Sequence, residues 1–371
     1  MKTKKIFIDC HVFDYGFQGT RTYIQGLYLE LIKNKEIEFY FAATDINNLK
    51  SVFGDSENIH YVEYKSKNKF YRLLIDIPLL IKKNNIDFAH FQYIVPPFKK
   101  CKYINSIHDV LFIDFPEHFP KLSSIKNEFL YKYSAKKSEI ILTGSQYSKN
   151  RIETHFKINN VFTTVYGVES VFYDSYDKKE VQEKVKTKYG YENIIIYVSR
   201  HEPRKNHYRL LKAFIDLKLY ENHHLLLIGD ITFRDEKFDN LLEESSKEIK
   251  EKIILKKKVA YNEMLQFLRA SVLAVYPSFA EGFGLPPLET IAAKVPTLCS
   301  NATSMSEFDF FGEDFINPAD FEEIKRKISY KLSNINEKRQ EELSILVEKK
   351  YNWNEAAHSF IDIINKESIK N

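Results

Sequence analysis

The chain has 371 residues, 44% hydrophobic and 29% charged, with a formal net charge of +4. That is enough for two domains with sizeable cores, and it excludes disorder over any long span. Cys10, Cys101 and Cys299 are odd in number and far apart, which excludes a disulfide framework or zinc site and fits a reducing cytoplasm.

Residues 5–10 read as a buried first strand, with Asp9 near its C-terminal end. The apolar run stops there, too short for a signal peptide, and no later run approaches the ~20 apolar residues of a membrane span. A glycine loop, Gly16 to Thr22, leads to an amphipathic helix, Tyr23 to Lys33. Strand, glycine loop and helix open a doubly wound unit, although the glycines do not spell the dinucleotide fingerprint. Strands at Glu38–Ala42, Phe88–Phe91 and Tyr103–Ile107 then alternate with a helical pattern at Phe70–Lys83 that Pro78 should kink or break. The third of these delivers His108 and Asp109 to its C-terminal end, where ligands bind in such sheets. A structural turn capped by Asp109 is the competing reading.

Residues 121–137 are helical, with Lys121, Lys126, Lys132, Lys136 and Lys137 among aromatic residues. The helix could lie on an anionic membrane surface, or pack on the core and keep a solvated basic face. Residues 1–168 hold 24 Lys and Arg against 17 Asp and Glu, whereas the rest hold 31 against 34. The basic half faces either an anionic partner or only solvent. Strands at Glu139–Thr143 and Val161–Val165 flank a helix capped at Ser145. The pattern loosens near 168–190, where we place a domain boundary.

The alternation then restarts. Ile194–Val198 reads as a buried strand ending in Ser199-Arg200-His201-Glu202-Pro203-Arg204-Lys205-Asn206. Arg200 and Lys205 could converge on a diphosphate, or stand as surface charge. Leu225–Ile228, Ile253–Leu255 and Lys258–Ala260 are further strands or edges, separated by charged helical sequence over 234–251. Tyr261–Ala270 is helical and leads to a strand, Ser271–Tyr276. Beyond it lies Ser278-Phe279-Ala280-Glu281-Gly282-Phe283-Gly284-Leu285-Pro286-Pro287-Leu288-Glu289. This reads as a glycine loop entering a helix from about Pro287 to Ala293, an anion site with a carboxylate at each end. A short strand at 294–300, a turn at Ser304–Glu307, helices over 321–348 and a final helix from Glu355 to about Ile364 complete the chain. Trp353 before that helix reads as packing.

These residues carry a resemblance. The chain resembles the retaining GT-B glycosyltransferases of family four, typified by bacterial mannosyl- and glucosyltransferases of surface polysaccharide synthesis. The pattern lies in Arg200 to Asn206, in Glu281-Gly282-Phe283-Gly284-Leu285-Pro286 with Glu289, and in Gly19-Thr20-Arg21-Thr22-Tyr23, His108-Asp109 and Thr143 to Ser148. The resemblance implies an α/β fold of two doubly wound Rossmann-like domains facing each other across a cleft. We expect an acceptor domain at 1–170, a nucleotide-sugar domain at 171–352, and a helix at 353–371 returning to the first. It implies Arg200 and Lys205 on the diphosphate and Glu281 on the transferred sugar, with His108 facing the reacting carbon. Gly19, Val259, Phe283, Gly284, Leu285 and Glu289 would bind the donor, Glu289 at the ribose, and Gly16, Arg21 and Asp109 would lie on the acceptor side.

The implied reaction moves a hexose, mannose from GDP-mannose in our reading, to a glycan or lipid-linked glycan. Rhamnosyl, fucosyl and glucosyl donors are the alternatives, and a non-catalytic nucleotide or anionic-polymer binder is the alternative of a different class. No metal, no cofactor beyond the nucleotide-diphospho-sugar and no nucleic acid are expected. The expected location is cytoplasmic, or peripheral at the inner face of the cytoplasmic membrane through Lys121–Lys137. The sequence departs from the family at Ser199, at Ser306, and at Lys294, which calls for a different helix C-cap than glycine gives.

Overall fold

A computed structural model describes residues 3–15 and 19–369. The chain divides into two compact units, Met1–Gly167 with Tyr351–Asn371, and Val168–Lys350. The divisions fall at Gly167/Val168 and Lys350/Tyr351, a few residues before the sequence-based positions 170 and 352.

The first unit holds seven parallel strands: β1 (Lys4–Asp9), β2 (Ile37–Ala43), β3 (Ile59–Glu63), β4 (Phe88–Gln92), β5 (Lys102–Ser106), β6 (Ile140–Thr143) and β7 (Val161–Thr163). Their order is β3-β2-β1-β4-β5-β6-β7. Ile6 pairs with Phe39 on one side and Phe88 on the other, so β1 is central, buried on both faces, and near-continuously apolar. The order reverses between β1 and β4, and the crevice beyond the C-terminal ends of those strands is where such sheets bind ligands. The helix Ile46–Phe53 and the edge strand β3 escaped the sequence reading. In β3, His60, Tyr61 and Glu63 interrupt the apolar run that marks the central strands.

The stretch Lys69–Lys83 stays helical through Pro78. Proline lacks an N–H and its ring crowds the carbonyl four residues back. The helix absorbs this with a π-turn over Arg72–Asp76, in which the Ile77 N–H donates to the Arg72 carbonyl, so it is neither broken nor ended there. The helix Lys121–Lys137 has only Ser134 and Ala135 buried. Its C-terminal half packs on the core through Ala135 and Tyr131, as the core-packing alternative expects, whereas Leu122, Ile125 and Phe129 toward its start are 85%, 67% and 71% exposed.

The helix Trp353–Ile369 belongs to this unit and packs along the helix Gly19–Leu31. Gly26 supplies the notch: a Cβ there would lie 2.1 Å from the Trp353 ring. Phe360 lies near Tyr28 and His90, with ring centroids 6.0 and 5.7 Å apart.

The second unit holds six parallel strands: β8 (Ile194–Val198), β9 (His224–Ile228), β10 (Ile253–Lys256), β11 (Leu273–Tyr276), β12 (Thr297–Ser300) and β13 (Phe315–Ile316), ordered β10-β9-β8-β11-β12-β13. The order reverses between β8 and β11, whose pairing sets Leu273 against Ile195. Lys258–Ala260 is loop rather than strand, and the charged segment after β9 forms two helices, Glu236–Glu244 and Lys247–Glu251, separated by Ser245 and Ser246. Both units are thus Rossmann-like, and in each the strand order reverses once, the place where such sheets bind ligands.

Candidate active site

In the second unit, β8 and β11 are neighbours at the reversal, so the segments leaving their C-terminal ends must meet. The Phe279 N–H donates to the Arg204 carbonyl at 2.8 Å. Asn206, in the left-handed region at φ 62°, donates its side-chain amide to the Pro277 and Pro318 carbonyls at 3.0 and 3.1 Å. The Tyr197 hydroxyl donates to the Lys205 carbonyl at 2.9 Å and so accepts from Ser278 at 2.8 Å. These bonds fix the backbone on both sides of one carboxylate.

That carboxylate is Glu281. Its Oε1 lies 2.5 Å from the Lys205 ammonium, and its Oε2 accepts from Arg204 Nη1 at 3.1 Å. Arg204 also donates to the Ala280 carbonyl at 2.7 Å and, through Nε, to Glu202 at 2.8 Å. Burial would raise the Glu281 carboxyl, but Lys205 and then Arg204 outweigh it and hold it down at about 2. Burial lowers Lys205 from its usual value, and Glu281 opposes that shift. Glu281 is therefore an ionised, acceptor-only group with a fixed direction. Its N–H is held by the Thr303 hydroxyl at 2.9 Å, and its carbonyl accepts from Ser304 at 2.8 Å. Thr303 sits at φ 52°, a costly place for a β-branched residue and one that structures keep where geometry matters.

The loop then turns at Gly284, at φ 98°, where a Cβ would meet Met305 Cγ at 2.7 Å. The helix runs Leu285–Ala292, two residues earlier at its start than the sequence indicated. Pro286 and Pro287 occupy its first turn and have no N–H. The first-turn donors available to an anion are thereby narrowed to Gly284 and Leu285. Glu289, one turn in, is raised to about 8, first by burial and then by Glu169. Glu169 is itself raised by burial, and accepts from the Tyr261 hydroxyl at 3.1 Å. Two carboxylates thus share one corner, and Glu289 is protonated at neutral pH in this ligand-free state. The helix ends with Lys294 at φ 57°. Its N–H donates to the Ile291 carbonyl at 2.8 Å and the Val295 N–H to the Thr290 carbonyl at 2.9 Å. This is the glycine-type C-cap with lysine in the glycine's place, not a different cap.

Arg200 is exposed at the end of β8, and its guanidinium makes no hydrogen bond or ion pair among the described residues. The structure brings Lys205 and Glu281 together, with Arg204 between Glu202 and Glu281. The sequence reading passed over Arg204, Glu169 and Thr303. Arg204 had a signal, since it stands between Pro203 and Lys205 in the same motif. Glu169 and Thr303 are distant in sequence from the residues they touch. Val259 is half-buried in the loop after β10, and Phe283 is buried beside Phe308, with ring centroids 5.7 Å apart.

In the first unit, His108 follows β5. Its Nδ1 lies within hydrogen-bond distance of the Tyr166 hydroxyl, and the Tyr23 ring meets it edge-on at 4.9 Å. Burial lowers it to about 4, so the ring is neutral. Its Nε2 is buried and has no partner among the described residues. A buried imidazole nitrogen left open at a strand's C-terminal end is suited to meet a ligand hydroxyl. Asp109 accepts from the Leu111 N–H at 3.2 Å, a local turn just ahead of the short helix Leu111–Asp114, whose N-cap is Val110, so the structure shows the turn but not the cap. Arg21 lies over the Phe13 ring at 4.8 Å, and Gly19 opens its helix in open space, where a Cβ would meet no atom within 4 Å. Gly16 lies outside the described residues. Asp9, at the end of β1, is held well below the usual carboxylate range, against its own burial, by His11 and Arg72. It also accepts from Tyr64 at 2.8 Å. Among the described residues no group of three or more His, Cys, Asp or Glu is arranged to hold a metal ion.

Residues 178–353 match the family described as glycosyl transferases group 1. The chain is 28% identical over 307 residues to the O-antigen chain mannosyltransferase B of Escherichia coli, covering 75% of this chain and 78% of that one. Its fold is similar to the crystal structure of a glycosyltransferase from Rickettsia africae, with a TM-score of 0.72 and 21% identity over all of both chains. It is also similar to HepE of Anabaena in complex with UDP-glucose, with a TM-score of 0.71 and 14% identity over 98% of this chain and 99% of that one.

Proposed function

We propose a reaction for a chain that carries a glycosyl transferases group 1 domain and has the GT-B fold: transfer of mannose from GDP-mannose, with retention, to a glycan or lipid-linked glycan of a surface polysaccharide such as O-antigen. The observation that carries it is Glu281, ionised and aimed by Lys205 and Arg204 beside the N-terminus of the helix Leu285–Ala292. An acceptor-only carboxylate suits the hydroxyls of a bound sugar. The cations and the Gly284 and Leu285 N–H groups suit the diphosphate beside it.

When the bond between sugar and diphosphate breaks, negative charge grows on a phosphate oxygen. Lys205, the exposed Arg200 and the loop N–H groups stabilise that charge without a proton donor. In our reading no metal is required, because these cations supply the neutralisation that a divalent ion would. Glu289 accepts the ribose hydroxyls, and the His108 Nε2 meets the sugar near the reacting carbon. The departing phosphate takes the acceptor's proton during attack on the same face. Mannose is favoured by the similarity to an O-antigen mannosyltransferase, and UDP-glucose, the ligand of HepE, is the nearest rival. The enzyme would work in the cytoplasm at the inner face of the membrane, with Lys121–Lys137 toward anionic lipid.

The test is slow hydrolysis of, and thermal protection by, a panel of GDP-, UDP- and dTDP-sugars, with and without EDTA. GDP-mannose should act best and EDTA should change nothing. Preference for a UDP or dTDP donor overturns the mannose reading, loss of turnover in EDTA overturns metal independence, and inertness to every donor overturns the reaction.

A further inference from the structure

Nine of the seventeen large hydrophobic side chains exposed among the described residues lie on two helical stretches of the first unit. Phe70, Tyr71, Leu74, Ile75 and Leu79 are on Lys69–Lys83, at spacings of four that form two adjacent rows. Leu122, Ile125, Phe129 and Tyr133 are on Lys121–Lys137, at spacings of three and four that form one stripe. The two helices share a floor at the segment after β4. Leu73, Ile77 and Ile81 pack in the core with Val95, whose N–H donates to Ser134 at 3.2 Å, and Tyr93 stacks on Tyr131 at 4.8 Å.

The charge on these helices is as one-sided as their apolar rows. They contain nine Lys and Arg against two acids, and Lys69, Lys82, Lys83, Lys121, Lys126 and Lys136 are exposed. Asp76, one of the two acids, is buried and accepts from the Lys65 N–H at 2.9 Å. Apolar residues this numerous are seldom left in water unless something covers them. A second copy meeting this face in an isologous pair would set lysines against lysines. Among the described residues no helix is long and apolar enough to cross a membrane.

We infer that the helices Lys69–Lys83 and Lys121–Lys137 together form a docking face for an anionic phospholipid bilayer, with Phe70, Leu74, Leu122, Ile125 and Phe129 entering the acyl boundary and the lysines seated among the headgroup phosphates. This deepens the peripheral-membrane part of the proposed function but stands independently of donor and turnover. It also changes the expected mode of binding. A purely basic helix would release at high salt, whereas two apolar rows give binding with a part that salt does not remove. The face lies beside the C-terminal ends of β1 and β4, where Arg72, on the first of these helices, lies 3.7 Å from Asp9. A membrane-held acceptor would therefore be presented at the ligand edge of this unit.

The experiment is sedimentation of the full chain with vesicles of phosphatidylcholine alone or with about 30% phosphatidylglycerol, at about 0.1 and about 1 M salt. The chain should bind the anionic vesicles, bind the neutral ones weakly, and keep a measurable bound fraction at high salt. Phe70→Ser with Leu74→Ser, or Ile125→Ser with Phe129→Ser, should each lower partitioning on the order of tenfold or more and abolish the salt-resistant part. Lys121→Gln with Lys126→Gln should weaken binding at low salt only. Unchanged far-UV circular dichroism and thermal midpoints, expected for exposed sites, separate this from misfolding. Failure of the unaltered chain to bind anionic vesicles overturns the inference, as do serine variants that bind like it. A concentration-dependent dimer that the serine variants abolish would instead identify a second copy as the occupant and would equally overturn it.

Discussion

Glu281→Gln removes one charge and keeps the shape of the side chain, so it isolates what the ionised carboxylate contributes. In the folded protein the Glu281 carboxyl lies at about 2 against an ordinary 4.5. At about 1.4 kcal/mol per pKa unit this is about 3 kcal/mol of stabilisation at neutral pH. Lys205 offsets part of it, because its own charge is disfavoured by burial. A net loss of about 2–3 kcal/mol in a unit of this size lowers its thermal midpoint by about 5–10 °C. Because the folded pKa is depressed, the stabilisation is complete above pH 4.5 and vanishes as pH falls through about 2. Scanning calorimetry of both proteins at pH 7, repeated below pH 4.5, should show a gap that narrows on acidification. In the same variant the nucleoside diphosphate should still bind, while transfer falls on the order of 100- to 1,000-fold. A variant that melts with the parent at pH 7, or a gap that widens in acid, refutes the electrostatic account. Undiminished transfer removes Glu281 from the chemistry.

Glu289 carries the opposite sign. Its pKa is raised to about 8, so the ligand-free protein bears a cost that is absent below pH 4.5 and complete above 8. Glu289→Gln should therefore stabilise the ligand-free protein at pH 8–9 by up to about 5 kcal/mol, read as a raised thermal midpoint, while weakening nucleoside diphosphate binding in a calorimetric titration. A lowered midpoint there would contradict the assignment. His108, lowered to about 4 by burial, stays neutral through the working range. It costs stability only as pH falls from 6.5 toward 4, and the rate profile should show no limb near pH 6.5 that His108→Asn removes. Gly284→Ala should destabilise the second unit by about 2–3 kcal/mol, from the positive φ and from contact with Met305 together. Met305→Ala, which empties a buried site, should cost less stability in the Gly284→Ala background than on its own in a denaturant titration.

The alternation of strand and helix was legible because central parallel strands are buried on both faces and write themselves as runs such as Ile194–Val198. β3 was not, because an edge strand can carry His60 and Glu63 without cost. Pro78 reads as a kink or break because sequence shows the missing donor but not the π-turn that accommodates it. In the candidate site, Glu281 and Lys205 were legible from motif spacing. The partner that the carboxylate also holds, Arg204, was hidden behind Arg200. Both are arginines near a strand end, and only the turn at Pro203–Lys205 decides which one faces Glu281. Glu169 reaches Glu289 across more than a hundred residues, a distance over which local pattern carries no information. Lys294 predicts a changed cap, yet the backbone keeps the left-handed course and bears lysine there.

The return of Tyr351–Ile369 to the first unit makes the second unit an insertion in the first. On a ribosome the second unit has all its strands and helices once Lys350 has emerged, and can close while the chain is still being made. The first unit has its seven strands long before that, but the groove at Gly26, Tyr28 and His90 stays open until Trp353 and Phe360 arrive. The part of the chain made first is therefore the last to be finished. A stop codon at position 351 would leave the second unit entire and the first without the helix that closes it.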